Sequence, residues 1–78
     1  MKLEILTPEW NRVVEDVEAV FIPGMLGEFE VLVNQAPIIS TLRKGQLRWR
    51  VAGEEESLEV KAGAARVRDN VIQVCVEV

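Results

Sequence analysis

The chain has 78 residues, 9 Lys and Arg against 13 Asp and Glu, no histidine and no tyrosine, for a formal net charge of −4. At this length folding buries roughly 60% of the unfolded surface, enough for one small domain over residues 1–78 and too little for two. A 49% hydrophobic, 28% charged composition excludes a disordered chain, and the acidic balance argues against nucleic acid as a partner, because phosphate binding depends on clustered Lys and Arg.

The N-terminal run Met1-Lys2-Leu3-Glu4-Ile5-Leu6 meets charges and then Pro8 before a signal-peptide core develops. No run approaches the ~18 apolar residues of a membrane helix, so no direct membrane insertion is expected. Thr7-Pro8-Glu9 has the form of a helix start, and Val13, Val14, Val17, Val20 and Phe21 recur at helical spacing. The β-branched valines, and a second parity that sets Val17, Ala19 and Phe21 opposite Asp16 and Glu18, favour a strand, which is the expectation here.

From there, turn signals come about every ten residues: Pro23-Gly24 with Gly27, Asn34-Gln35-Ala36-Pro37, Lys44-Gly45, Gly53, Ala62-Gly63 and Asp69-Asn70. Between them Leu47, Trp49 and Val51 interleave with Arg48 and Arg50, and Leu58 and Val60 with Glu59 and Lys61. Ala65-Arg66-Val67-Arg68 and a closing run with Ile72, Val74, Val76 and Val78 on one face form a hairpin across Asp69-Asn70. About eight short strands cannot keep one open layer dry, so a two-sheet sandwich or a closed barrel follows.

Little catalytic chemistry is available. Without histidine or tyrosine the usual nucleophile and base pairs cannot be assembled. The one cysteine, Cys75, forms no internal disulfide and is expected to be a packing residue, in a reducing, intracellular setting. No metal or cofactor motif is present. Glu54-Glu55-Glu56 follows Gly53 and is expected at a hydrated loop tip. A small enzyme using Glu28, Glu30 or that cluster is a rival reading, but so small a domain has few residues left for a pocket, and no small-molecule substrate is expected. Residues 1–42 hold seven acids and two bases, residues 43–78 seven bases and six acids, so two electrostatic surfaces are available. Arg43, Lys44, Arg48, Arg50, Arg66 and Arg68 are expected on solvated strand faces with compensating glutamates. At the Pro23–Gly27 turn, Met25 and Leu26 put large apolar side chains where turns normally carry polar ones, which a protein partner would explain.

At these residues the chain resembles the epsilon subunit of the F-type ATP synthase. The pattern Pro23-Gly24-x-x-Gly27-Glu28-Phe29, then Ala36-Pro37-Ile38-Ile39, Lys44-Gly45, Ala62-Gly63 and Asp69-Asn70-Val71 runs in that family's order and spacing. The resemblance covers Leu3 to Val76 and only the family's N-terminal domain. It implies an all-β fold, a small β-sandwich of about eight to ten short strands. Val78 precedes the family's inhibitory helical hairpin, so a short form without that hairpin is expected. The family role is that of a non-catalytic rotor subunit, held between the gamma subunit and the membrane c ring during proton-driven ATP synthesis. It would sit at the cytoplasmic face of the bacterial inner membrane.

Carried over residue by residue, Gly24, Met25, Leu26, Gly27, Glu28, Phe29 and Glu30 match the segment facing the c ring, with Glu28 as polar anchor. Thr7, Gln35, Ala36, Pro37 and Ser40 match positions at or near gamma. Gln35 stands where many members have histidine, Val33 where proline is usual, and Glu30 where glycine is common. Glutamine still donates and accepts hydrogen bonds, but a pH-sensitive contact at that position is lost. The alternative is a free-standing β-sandwich module that binds some other protein.

Overall fold

The alternating pattern becomes nine strands and no helix in the computed structural model, which describes residues 1–78. In chain order they are β1 (Lys2–Leu6), β2 (Asn11–Val14), β3 (Ala19–Gly24), β4 (Gly27–Leu32), β5 (Ile38–Leu42), β6 (Gly45–Val51), β7 (Glu54–Val60), β8 (Ala62–Arg68) and β9 (Val71–Glu77). Two connections are two-residue turns with φ above zero at both positions, Ala52 and Gly53 after β6 and Asp69 and Asn70 after β8. That turn type matches the twist of the strands it joins.

Two local expectations are corrected and one ambiguous signal is resolved. Val13 to Phe21 is not one strand: Asp16 takes a φ of 57° and separates β2 from β3. Parity resets there, so Val20 and Ile22 enter the core while Phe21 is half-buried on the opposite face. Thr7 caps a turn rather than a helix. Its Oγ1 accepts from the Trp10 N–H at 2.9 Å and donates to the Trp10 carbonyl at 2.7 Å, closing the β1–β2 hairpin. Glu54-Glu55-Glu56 belongs to strand β7 instead of a loop tip, because Ala52 and Gly53 alone complete the turn.

The strands form one hydrogen-bonded path, β2-β1-β9-β8-β5-β3-β6-β7, with β4 on the other edge of β3. β1 and β9 run parallel and the other pairs antiparallel. The path folds over into two layers, β4-β3-β6-β7 and β2-β1-β9-β8-β5. The fold is made where β5 passes into β6. Both run antiparallel to β3, but β5 touches it only at Gly24↔Leu42 and β6 at Ala19↔Arg50 through Phe21↔Arg48. Those registers are out of step, and the surplus residues around Arg43 and Lys44 form the bend. The Arg43 N–H donates to the Pro23 carbonyl at 3.0 Å, and a Cβ on Gly45 would lie 2.9 Å from Pro23 Cβ, so glycine lets the bent strand pass close.

The inward faces share one core, led by Trp49 with Leu3, Ile5, Ile22, Leu47 and Ile72. The two ends of the path approach each other, where Arg12 Nη2 of β2 donates to Glu56 Oε2 of β7 at 3.0 Å and the guanidinium lies 5.6 Å from the Trp49 ring centre. The result is a β-sandwich curled nearly to closure.

Ile72→Ala should lower the unfolding free energy by about 2–5 kcal/mol through the cavity it leaves. Ile39→Ala, at a side chain 83% exposed, should change it by less than about 0.5 kcal/mol. Urea melts of the two variants check both. In the same assay Gly63→Ala should cost about 1–3 kcal/mol by overpacking, since its Cβ would run into the Cys75 carbonyl oxygen and lie 2.9 Å from Val76 Cγ1.

Candidate functional site

Past the Gly24↔Leu42 contact, β5 and β3 diverge, and the free edge of β5 faces the β3–β4 turn across an open groove of about 580 Å³. The turn is held from below. The Met25 N–H donates to the Thr41 carbonyl at 3.0 Å, and Gly24 leaves room for the Phe29 ring, which would otherwise lie 2.9 Å from a Cβ. With its backbone fixed, the turn projects Met25 and Leu26 outward; Leu26 is fully exposed and Met25 is 56% exposed.

The residues expected to meet the c ring therefore divide. Met25, Leu26, Gly27 and Glu30 line the groove with exposed or half-exposed atoms. Gly24 is buried, and Phe29 packs its half-buried ring against the core as the groove's inner wall, so neither offers a free side chain. Glu28 is exposed but lies outside the groove, on the outer face of the β4-β3-β6-β7 layer. There Arg48 Nη2 donates to Glu28 Oε1 at 2.6 Å. This hydrogen bond, with the nearby Glu28 and Glu55 charges, raises the Arg48 pKa further above its already high value.

The residues expected near gamma also divide. Gln35 and Ser40 line the same groove as Met25 and Leu26, and Ala36 and Pro37 are exposed beside it. Their loop is fixed by paired asparagines: the Asn34 N–H donates to Asn70 Oδ1 at 2.6 Å and Asn70 Nδ2 donates to Asn34 Oδ1 at 3.0 Å. Both residues have left-handed φ, 64° and 60°, a conformation asparagine tolerates well. The Asn70 carbonyl also accepts from the Lys2 N–H at 2.9 Å, so the loop is tied to the start of β1. Thr7 lies elsewhere, in a shallow depression with Leu6 and Cys75, its hydroxyl occupied by the Trp10 turn.

Three features escaped the sequence reading. Ile39 is 83% exposed and extends the apolar lip of the groove from Leu26 along β5. It is the only side chain on that strand whose alternation points a large aliphatic group outward, a signal hidden by the adjacent Ile38. Cys75 is exposed rather than packed; it sits on the outward parity of β9, in register with Leu6 on β1 and Ala64 on β8. The arginines of the second half are also split between faces. Arg48 and Arg50 lie among Glu18, Glu28 and Glu55 on one layer, while Arg66 donates to Gln73 on the other.

Comparison with known proteins follows the same lines. The family model for the ATP synthase delta/epsilon chain β-sandwich domain matches residues 1–78. The ATP synthase epsilon chain of Desulfosudis oleivorans is 44% identical over 99% of this chain and 59% of its own length. That of Desulfitobacterium hafniense is 36% identical over 92% of this chain and 54% of its own. The chain thus spans a little over half the length of these curated relatives. A chain in the Tetrahymena thermophila mitochondrial ATP synthase central stalk/c-ring structure superposes with a TM-score of 0.86, covering 100% of this chain and 63% of that one, at 15% identity. One in the Euglena gracilis mitochondrial ATP synthase structure, which comprises OSCP, F1 and c-ring, gives 0.86 over 95% and 48% at 22% identity, a likeness of fold. By its full-length family match and its similarity to bacterial epsilon chains, this chain belongs to the β-sandwich domain family of the ATP synthase delta/epsilon chain.

Proposed function

We propose that the chain is a non-catalytic collar of an ATP synthase rotor, binding the gamma subunit of the central stalk and seating on the polar loops of the c ring during proton-driven ATP synthesis. The observation that carries this reading is the groove between the β3–β4 turn and β5. It joins the exposed apolar tip, Met25 and Leu26, to Gln35, Ser40 and Ile39 on one rigid wall. Two partners that meet each other could share such a groove from opposite lips, Met25 and Leu26 toward the ring and Gln35 with Ala36 and Pro37 toward gamma. The protein would then lie at the cytoplasmic face of the bacterial membrane, held there by contacts with its neighbours rather than by insertion.

Coupling of this kind asks for stiffness and complementary surfaces and for no reaction at the chain itself. The sheet-on-sheet core supplies the stiffness, and the turn, loop and outer faces remain available for contact. The outward Met25, Leu26 and Ile39 provide apolar area for burial, and the neighbouring glutamates supply a polar rim.

The test uses purified gamma and a gamma–c-ring rotor from the same source. Met25→Ser with Leu26→Ser should leave thermal unfolding of the chain unchanged and weaken binding to the rotor by about 1–2 kcal/mol per position, roughly tenfold each. The same double variant should bind gamma alone like the unaltered chain. Gln35→Ala should instead weaken binding to gamma alone several-fold, by the loss of about one hydrogen bond. A chain with no affinity for gamma would favour a binding module unrelated to the rotor.

A further inference from the structure

Arg48 stands in the middle of β6 on the outer face of the β4-β3-β6-β7 layer and spans that face in both directions. Its Nη2 donates to Glu28 Oε1 at 2.6 Å across β3, and its Nη1 reaches Glu55 Oε1 on β7 at 3.3 Å. Below it lies Phe21, with the guanidinium carbon 4.5 Å from the ring centre. Phe21 is in register with Arg48 on one side and Glu30 on the other, so the aromatic ring forms a floor beneath the guanidinium.

This arrangement is poorly explained as a stability device, because all three charged side chains are partly exposed and surface ion pairs contribute little. Its distinct effect is on Glu28. That residue pairs with Pro23, directly after Gly27, at the foot of the turn that carries Met25 and Leu26. An unrestrained glutamate there would sample many rotamers, and a partner would have to order it on binding. Arg48 engages one carboxylate oxygen, and Oε2 has no hydrogen bond within the chain. The second grip on Glu55 and the Phe21 floor keep the arginine from swinging away. Two carboxylates share one guanidinium, so the trio keeps one net negative charge, with Glu30 nearby.

We propose that Arg48 is a positioning residue for the ring-facing surface: it holds the Glu28 carboxylate with Oε1 occupied and Oε2 presented to a hydrogen-bond donor on a c-ring loop. The inference rests on the reading that Glu28 meets the ring. Because a carboxylate only accepts, the matching group must be a donor, and the residual negative charge favours a cationic one.

The test measures affinity of the 78-residue chain for the gamma–c-ring rotor. Glu28→Gln should weaken binding by about tenfold and Arg48→Gln by about five- to tenfold, as expected for one charge-assisted hydrogen bond lost or disordered. The double variant should be no weaker than Glu28→Gln alone, because Arg48 acts through Glu28. Glu55→Gln, which leaves Arg48 in place but loosens it, should cause a smaller loss. In the free chain, NMR side-chain couplings should report one Glu28 rotamer, averaged in Arg48→Gln. A Glu28→Gln loss with Arg48→Gln unchanged, multiplying losses in the double variant, or an unaltered Glu28 rotamer in Arg48→Gln would each overturn the positioning role while leaving the ring contact standing. No loss in Glu28→Gln would overturn the ring contact at this residue and the positioning role with it.

Discussion

A sheet that is apolar on one side must find something to lay that side against, and here it folds back on itself. The bend between β5 and β6 solves the problem, and the rest of the molecule is arranged around it. Leu42 ends one layer and Leu47 begins the core contribution of the other, with Pro23, Gly24 and Gly45 packed closely enough for the strand to cross. Because β5 must leave β3 to join β8, its edge is left unpaired just where the β3–β4 turn projects. The groove is therefore a by-product of how the sandwich closes, and its position is fixed by the same contacts that fix the core.

Much of this could be read in the sequence. Alternation from Leu47 to Val51 and from Ile72 to Val76 gave strands of the right face, and Asp69-Asn70 gave a hairpin, since these signals are local and backbone physics alone sets them. The tip at Met25 and Leu26 was visible because large apolar residues between two glycines contradict ordinary turn chemistry. Features that depend on distant segments were hidden. Thr7-Pro8-Glu9 uses the same side-chain-to-backbone bonding whether it begins a helix or closes a hairpin, and only pairing between β1 and β2 decides. Cys75 is a different case: residue type suggests packing, but the alternation that puts Ile72, Val74 and Val76 inward already faces it outward. The link from Arg48 to Glu28 spans twenty positions in the chain and follows from the order β4-β3-β6. No local pattern announces it.

The two layers differ in how they treat charge. On the β4-β3-β6-β7 face, Arg48 lies between Glu28 and Glu55, and Arg50 lies beside Glu18. On the other face Glu4, Gln73 and Arg66 form a polar row across β1, β9 and β8, beside a row of Leu6, Cys75 and Ala64 with little charge. The division seen along the sequence thus becomes a division in space only in part, because each layer combines strands from both halves of the chain. Each face thus offers a different chemistry, while the shared core keeps their relative orientation constant.

The parallel pairing of β1 with β9 has a consequence for how the molecule comes into being. Lys2 is matched with Val71 and Leu6 with Cys75, so β1 has only the short β2 beside it until nearly the whole domain has been synthesised. Contacts so distant along the chain carry their loop-closure cost before they contribute, a topology associated with slower folding than local pairing. Partial folding on the ribosome would leave the five-stranded layer unformed, and with it the Asn70 anchor for the loop at Gln35. The loop at Gln35 therefore gains its anchor only after β8 and the Asp69–Asn70 turn exist, whereas the β3–β4 turn beside it is built from earlier strands.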